Sequence, residues 1–398
     1  MSLPLMFEKP LGMIDTLPAL YERTGEVRRD IECEVKSWGY RPIQTPSLEY
    51  YDTVGEASAI LDQQLFKLMD REGQTLVLRP DMTAPIARVV SSSMQDEPLP
   101  IRLSYCSSLF RAQQREGGRR SEFEQFGVEL VGDSTINGDA EVIALLQSSL
   151  RASGLSNFRL AVGHIGFMNA LFAEIVADEA IANELKRYLY EKNYVGYRQY
   201  VERLDLTTSD KTRLNRVHQL RGSIEVLNRA KEIAHTREAH EAIAEIEALW
   251  KVLETIGVSE YMQVDLNLVM HIDYYTGVVF EGYGGSLGFP LASGGRYDEL
   301  LGKFGRPASA TGFGIRLDRL IEAVNHLEGE RKANPVLVLF CKEQQQEAMR
   351  EAHRRRKQGE AVVLQNIAGI PDVDAYIKRY SEVVSFLDTG SRREKEDE

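Results

Sequence analysis

Four short stretches of the chain carry residues whose types and spacing suit them to chemistry. The first is Ser121-Glu122-Phe123-Glu124-Gln125-Phe126-Gly127-Val128-Glu129-Leu130-Val131-Gly132. Read as a strand, its period of two sets Phe123, Gln125, Gly127 and Glu129 on one face, so an amide and a carboxyl flank a residue with no side chain. Such a face makes one wall of a small polar pocket; the plainer alternative is an edge strand whose polar face meets water. In Asp273-Tyr274-Tyr275-Thr276-Gly277 the tyrosines can project as aromatic walls with hydroxyl tips, and Gly277 suits a positive φ in a turn joining two apolar strands. Leu78-Arg79-Pro80-Asp81-Met82-Thr83-Ala84-Pro85 puts an acid and a hydroxyl just before a helix, where they cap it or face a ligand. Gly294-Gly295-Arg296-Tyr297-Asp298 reads as a close backbone approach or a tight turn. Gly282, Gly284 and Gly288 do not fit the dinucleotide spacing, and no Gly-X4-Gly-Lys-Ser/Thr stretch occurs. Among the 7 histidines, His235 and His240 are five apart on a predicted helix, about 140° around it, so no metal site is expected.

These groups must be held by a chain of 398 residues, 43% of them hydrophobic and 27% charged, as in ordinary folded domains. Its 48 Lys and Arg against 60 Asp and Glu give a net charge of −12, which disfavours a nucleic-acid-binding surface. No apolar run approaches the ~20 residues needed to span a bilayer. The opening residues show no signal-peptide pattern, so the expected compartment is the cytoplasm. Cys33, Cys106 and Cys341 are far apart in apolar surroundings and are expected to be buried structural thiols.

Periodicity predicts a first helix capped by Asp15 or Thr16, burying Leu20, Val27, Ile31 and Val35 and ending at Gly39, with a strand at Tyr40–Ile43. Strands dominate from Pro98 to Gly132, around a Gly/Arg-rich loop at 115–120. A helix over 138–152 and a strand over 158–162 follow. Residues 166 to about 260, without proline and rich in Ala, Leu, Glu, Lys and Arg, read as a helical insert with 13 basic and 16 acidic residues. Strands are predicted at 264–270 and 278–283 and a helix at 317–327. A small tail unit then alternates strand 336–340, helix 347–357, strand 361–364, helix 373–380 and strand 383–386, before a charged end at 391–398 expected to be disordered.

In order, these stretches resemble the catalytic core of class II aminoacyl-tRNA synthetases, and within them histidyl-tRNA synthetase, over roughly residues 8–327. The resemblance rests on Gly39-Tyr40 through Thr45-Pro46 and Leu48-Glu49, Arg79 to Thr83, Phe110-Arg111 through Gly127 and Glu129, Asp273 to Thr276, Gly294 to Asp298, and Gly312-Phe313-Gly314 to Arg319-Leu320. It implies an α+β fold, a class II synthetase-like antiparallel sheet flanked by helices over residues 1–327, with the insert at about 166–260. A truncated anticodon-binding-like α/β unit would follow at 331–390. It further implies that Asp81, Thr83, Arg111, Gln125, Glu129, Tyr274 and Tyr275 bind histidine. Carboxylates suit an α-ammonium and an imidazole N–H, and the Gln125 amide can hydrogen-bond in either sense.

The adenylating apparatus departs from that pattern. Met270-His271 stand where the synthetase has its catalytic Arg-Gly, and Gln113 replaces an acid. Gly118-Arg119-Arg120-Ser121 replaces Gly-Arg-X-Arg, and Arg316 stands where a glycine lets adenine pack. Arg111 and Arg319 remain. From residue 331 the chain has 13 basic and 12 acidic residues over a tail shorter than an anticodon-binding domain, so tRNA binding is not expected. The combination resembles the family of ATP phosphoribosyltransferase regulatory subunits. That resemblance implies a non-catalytic chain with no cofactor, a homodimeric core, and a hetero-octamer with the short-form catalytic subunit. It also implies a requirement for that subunit's activity in the first step of histidine biosynthesis, and feedback inhibition by histidine. The rival readings are an active histidyl-tRNA synthetase and a synthetase-like binding module for another small molecule or RNA.

Overall fold

The computed structural model describes residues 8–112, 120–176, 178–270, 274–325 and 335–387. The chain divides into two compact units, Met1–Leu327 and Glu328–Glu398.

The first unit opens with helix α1 (Pro18–Ser37). Val27, Ile31 and Val35 make its buried stripe, Leu20 is half-buried, and Gly39 ends it at φ 84°. Leu17 occupies the cap position without a side-chain bond, so neither Asp15 nor Thr16 caps the helix. Pro18, with its fixed φ and no N–H, starts it instead. Strands β1 (Arg41–Pro42), β2 (Leu48–Tyr50), β3 (Lys67–Met69) and β4 (Thr75–Leu78) precede α2 (Thr83–Ser91), β5 (Ile101–Phe110), β6 (Glu122–Val131) and α3 (Ile136–Ala152). After β7 (Phe158–His164) comes the insert: α4 (Ile165–Ile175), α5 (Glu179–Tyr190), α6 (Tyr194–Arg203), α7 (Thr208–Arg216), the two-residue β8 (Arg221–Gly222), α8 (Val226–Ile233) and α9 (Arg237–Thr255). It has its own apolar core, with Phe167, Phe172, Leu185, Tyr197 and Ile243 fully buried. The unit closes with β9 (Met262–Asp265), β10 (Val278–Gly284), β11 (Ala292–Arg296), α10 (Leu300–Lys303), β12 (Ala310–Arg316) and α11 (Leu317–Asn325).

Among the described residues the main sheet has nine strands in the order β1-β5-β6-β12-β11-β10-β7-β9-β8. The run from β5 to β7 is antiparallel throughout, while β1 with β5 and β7 with β9 pair in parallel. α1, α3 and α11 pack against one face, where Ile143, Leu146, Phe280, Ile315 and Leu320 are buried. β2, β4 and β3 form a separate antiparallel sheet.

Three expectations are corrected here. β6 lies between β5 and β12 and is nearly all buried, so it is not an edge strand with a solvated face. The alternation of Val264, Leu266, Leu268 and Met270 is not a strand to 270: Asp265 ends it, its Oδ1 accepting from the Asn267 N–H at 3.0 Å, a turn made by the aspartate side chain. Cys33 is exposed and Cys341 half-buried, and Cys106 packs only half-buried against the margin of the main core.

In the second unit, β13 (Val336–Phe340), α12 (Gln345–Lys357), β14 (Val362–Asn366), α13 (Val373–Ile377) and β15 (Glu382–Phe386) build a parallel three-stranded sheet, β14-β13-β15. β13 is buried along its whole length. The segment 391–398 lies outside the described residues. Among the described residues no helix is long and apolar enough to cross a membrane.

Candidate functional site

All seven residues singled out in sequence line one cavity of about 230 Å³: Asp81, Thr83, Arg111, Gln125, Glu129, Tyr274 and Tyr275. β6 contributes three of its walls through period two. Phe123, Gln125 and Glu129 point into the cavity, and Gly127 between them leaves room for the Tyr105 ring from the paired position on β5. β12 lies beside β6 with Gly312 opposite Glu129 and Gly314 opposite Gly127. A Cβ on Gly312 would fall inside the Glu129 carboxyl, and one on Gly314 inside the Gln125 amide. Two glycines on one strand therefore let two polar side chains of the next lie across it.

Glu129 is the centre of the polar network and is only 2% exposed. Thr83 Oγ1 donates to its Oε1 at 3.0 Å, and the Tyr297 hydroxyl donates to its Oε2. Tyr274 OH donates in turn to Thr83 Oγ1 at 3.2 Å. Burial, offset in part by those two hydroxyls, pushes the Glu129 pKa up to about 8, and nearby Asp81 adds to the rise. Asp81 has a divided role. Its Oδ1 accepts the Ala84 N–H at 3.1 Å and caps α2, while its Oδ2 is buried without a hydrogen-bond partner. Burial also raises the Asp81 pKa, against the pull of Arg111. An acceptor oxygen left in this state is costly until a donor reaches it, which marks Asp81 as a recognition point for an N–H or ammonium group.

Arg111 is half-buried, its Nε donating to Pro80 O at 2.8 Å, and desolvation lowers its pKa while Asp81 raises it. Tyr274 packs edge-on to Tyr275 and Tyr297, with ring centroids 5.1 and 5.6 Å away. Gln125 Oε1 accepts from Tyr105 OH at 3.1 Å. Tyr105 and Tyr297 thus belong to the site although sequence reasoning gave them no role there. The signal for Tyr105 was its position opposite Gly127, which depends on strand register.

The other side of the cavity carries Met270, Arg316 and Arg319. The Arg316 guanidinium lies over the Phe123 ring, 3.6 Å from its centroid, and pairs with Asp318 at 2.8 Å. Gln113, Gly118, Arg119, His271 and Asp273 lie outside the described residues.

Two stretches do other work than expected. Gly277 does not have a positive φ, and the segment ahead of β10 is no hairpin turn, because β7 separates β9 from β10. Gly294 and Gly295 sit inside β11, where a Cβ on Gly295 would lie 2.6 Å from Val278 O, so neighbouring strands and not a turn require glycine. Arg79 and Arg296 are buried clamps. Arg79 donates to Thr45 O and Ser108 O at 2.8 and 2.9 Å, and Arg296 pairs with Asp139 at 2.8 Å.

A sheet of this topology with this pocket defines a class II aminoacyl-tRNA synthetase-like protein of the histidyl branch, and the sequence model described as Histidyl-tRNA synthetase matches residues 12–320. A histidyl-tRNA synthetase from a Nostoc species shares the fold, with a TM-score of 0.78 at 19% identity over 94% of this chain and 89% of that one. Residues 337–388 match a second model, described as Histidyl-tRNA synthetase HisZ, C-terminal domain. The ATP phosphoribosyltransferase regulatory subunit of Halalkalibacterium halodurans is 54% identical over 395 residues, 98% of this chain and 99% of that relative. The protein of the same name from Bacillus subtilis is 50% identical over 391 residues, again 98% and 99%. A solved structure described as an ATP phosphoribosyltransferase regulatory subunit/histidyl-tRNA synthetase from Bacillus halodurans matches with a TM-score of 0.91 at 53% identity, covering 97% of this chain and 100% of that one. The chain belongs to the family of ATP phosphoribosyltransferase regulatory subunits, which are named as regulators and not as catalytic synthetases.

Proposed function

We propose that this chain binds free histidine in the cavity around Glu129 and acts in the cytoplasm as the histidine-sensing partner of a short-form ATP phosphoribosyltransferase catalytic subunit. The catalytic subunit needs it for the first step of histidine biosynthesis, and histidine inhibits the assembly through it. The core pairs as a homodimer and joins the catalytic subunit in a hetero-octamer of four and four. The chain forms no histidyl-adenylate and does not engage tRNA.

One observation carries the reading. The acid, hydroxyl, amide and tyrosine groups suited to an amino acid converge on one cavity, while Met270 stands on its wall where the resemblance places the arginine that stabilises adenylation. A thioether offers no charge to a developing negative centre. The α-ammonium would meet the unsatisfied Asp81 Oδ2, the carboxylate would face Arg111, and Glu129 would stay in reach of an imidazole N–H.

Two measurements test this. Titration calorimetry of the full chain with histidine is expected to give binding that Glu129→Ala weakens at least tenfold, about 1.4 kcal/mol. Unchanged affinity in the variant would remove Glu129 from the site. Co-expression with a short catalytic subunit should yield activity that depends on this chain and falls on adding histidine. Histidine-dependent pyrophosphate exchange by the purified chain would point to an active synthetase instead.

A further inference from the structure

Among the described residues the insert reaches the cavity at one place. α5 ends at Tyr190, which lines the pocket and is 37% exposed at its rim. The turn into α6 holds Lys192 at φ 56°, and among the described residues it alone combines a side chain with a positive φ. Two hydrogen bonds close the turn, Lys192 N–H to Leu189 O at 3.0 Å and Asn193 N–H to Tyr188 O at 2.9 Å. This is a helix stop of the kind that favours glycine at the left-handed residue, so lysine is held there against its own backbone preference.

The side chain supplies a reason. Lys192 Nζ donates to Tyr283 OH at 3.4 Å, and Tyr283 OH donates to Glu281 Oε2. Glu281 lines the same cavity as Tyr190. Tyr283 also shares a small apolar cluster with Tyr275, Met270 and Val279, and the first two of these line the cavity as well. An ammonium, a phenol and a carboxyl thus run in sequence from the insert to the pocket wall. Burial favours the neutral form of Glu281, whereas the phenol and the Lys192 charge favour the carboxylate that makes the contact strong.

We propose that the α5–α6 turn is a lid on the cavity, with Tyr190 as its inner surface and Lys192 as its latch through Tyr283 to Glu281. The proposal rests on the reading of the cavity as a histidine site. With the latch made, the turn covers bound histidine and slows its exit; with the latch broken, the insert releases that edge. Lys192 is a positioning residue, since it reaches the cavity only through Tyr283.

The test is the rate of histidine release from the full-length chain, followed by stopped-flow displacement. Lys192→Met and Tyr283→Phe should each speed release by about twofold to fivefold, the range for one partly exposed polar contact, and Lys192→Arg should keep the wild-type rate. Lys192→Gly separates the latch from a purely structural turn, because it suits the backbone and lacks the ammonium. It is expected to keep or raise the thermal midpoint and still speed release as Lys192→Met does. Wild-type release rates in the Gly, Met and Phe variants, or failure of arginine to substitute for lysine, would overturn the lid while leaving the histidine site standing. Absence of histidine binding by the wild-type chain would sink the site and the lid together.

Discussion

Glu129 makes the site sensitive to pH. Its hydrogen-bond partners are uncharged hydroxyls, and burial pushes its pKa from the ordinary 4.5 to about 8. Between those values the folded chain binds a proton that the unfolded chain does not. The stability contributed by this group is therefore complete below pH 4.5 and is lost as pH rises through about 8. The thermal midpoint of the ligand-free chain is expected to fall between about pH 4.5 and 8, and Glu129→Gln, neutral throughout, should flatten that interval. An identical profile in the variant would place the titration elsewhere. A bound imidazole N–H reverses the preference, since a donor aimed at Glu129 is held better by the carboxylate than by the acid. Histidine affinity should rise over the same interval, with release of up to about one proton at neutral pH, read as different calorimetric enthalpies in buffers of different ionisation heat. At this scale Gln125 and Glu129 were legible from alternation alone. Tyr105 was not, because it sits in a mainly apolar run and its place opposite Gly127 comes from pairing with a strand across a seven-residue segment outside the described structure.

Strand β12 shows how an element can matter through what it lacks. A methyl group at Gly312 meets both the Glu129 carboxyl and the Val128 carbonyl, and the backbone there cannot yield without parting β12 from β6. At Gly314 the nearest atoms all belong to the Gln125 amide, the end of a flexible side chain. Gly312→Ala is thus expected to cost about 1–3 kcal/mol of folding stability and to abolish histidine binding. Gly314→Ala should cost well under ~1 kcal/mol and mainly weaken binding. Urea unfolding alongside calorimetry distinguishes them, and equal stability losses would show that the close packing of β12 on β6 is not what requires glycine. The existence of β6, β10 and the insert helices was legible because long periodic runs report burial directly, whereas β12, whose Gly312 and Gly314 break any apolar period, was not. The residues after β9 misled for the same reason. Leu266 and Leu268 are buried with strand-like spacing, but the Asp265 side chain turns the chain and removes them from the ladder.

For the whole molecule, the presence of a helical insert followed from where composition changes along the chain. Strand order did not, because β1, β5, β6 and β12 come together from segments far apart in sequence. Regulation at this scale is a matter of linkage. If histidine binds the inactive arrangement of the complex more tightly than the active one, it shifts the balance only by the ratio of those affinities, typically about 1–3 kcal/mol or 5- to 150-fold. The same coupling must act in reverse. Saturating the catalytic subunit with ATP should weaken histidine binding to this chain by the factor by which histidine weakens ATP binding to its partner. Both dissociation constants can be measured on the reconstituted complex, each with and without the other ligand. Glu129→Ala should remove both effects while still supporting the basal activity of the catalytic subunit, since the loss is confined to the effector cavity. Ratios that disagree beyond error would mean that histidine does not act through a shared equilibrium of the complex. Inhibition that persists in Glu129→Ala would place the regulatory histidine at a subunit boundary, leaving the cavity around Glu129 without the controlling role assigned to it.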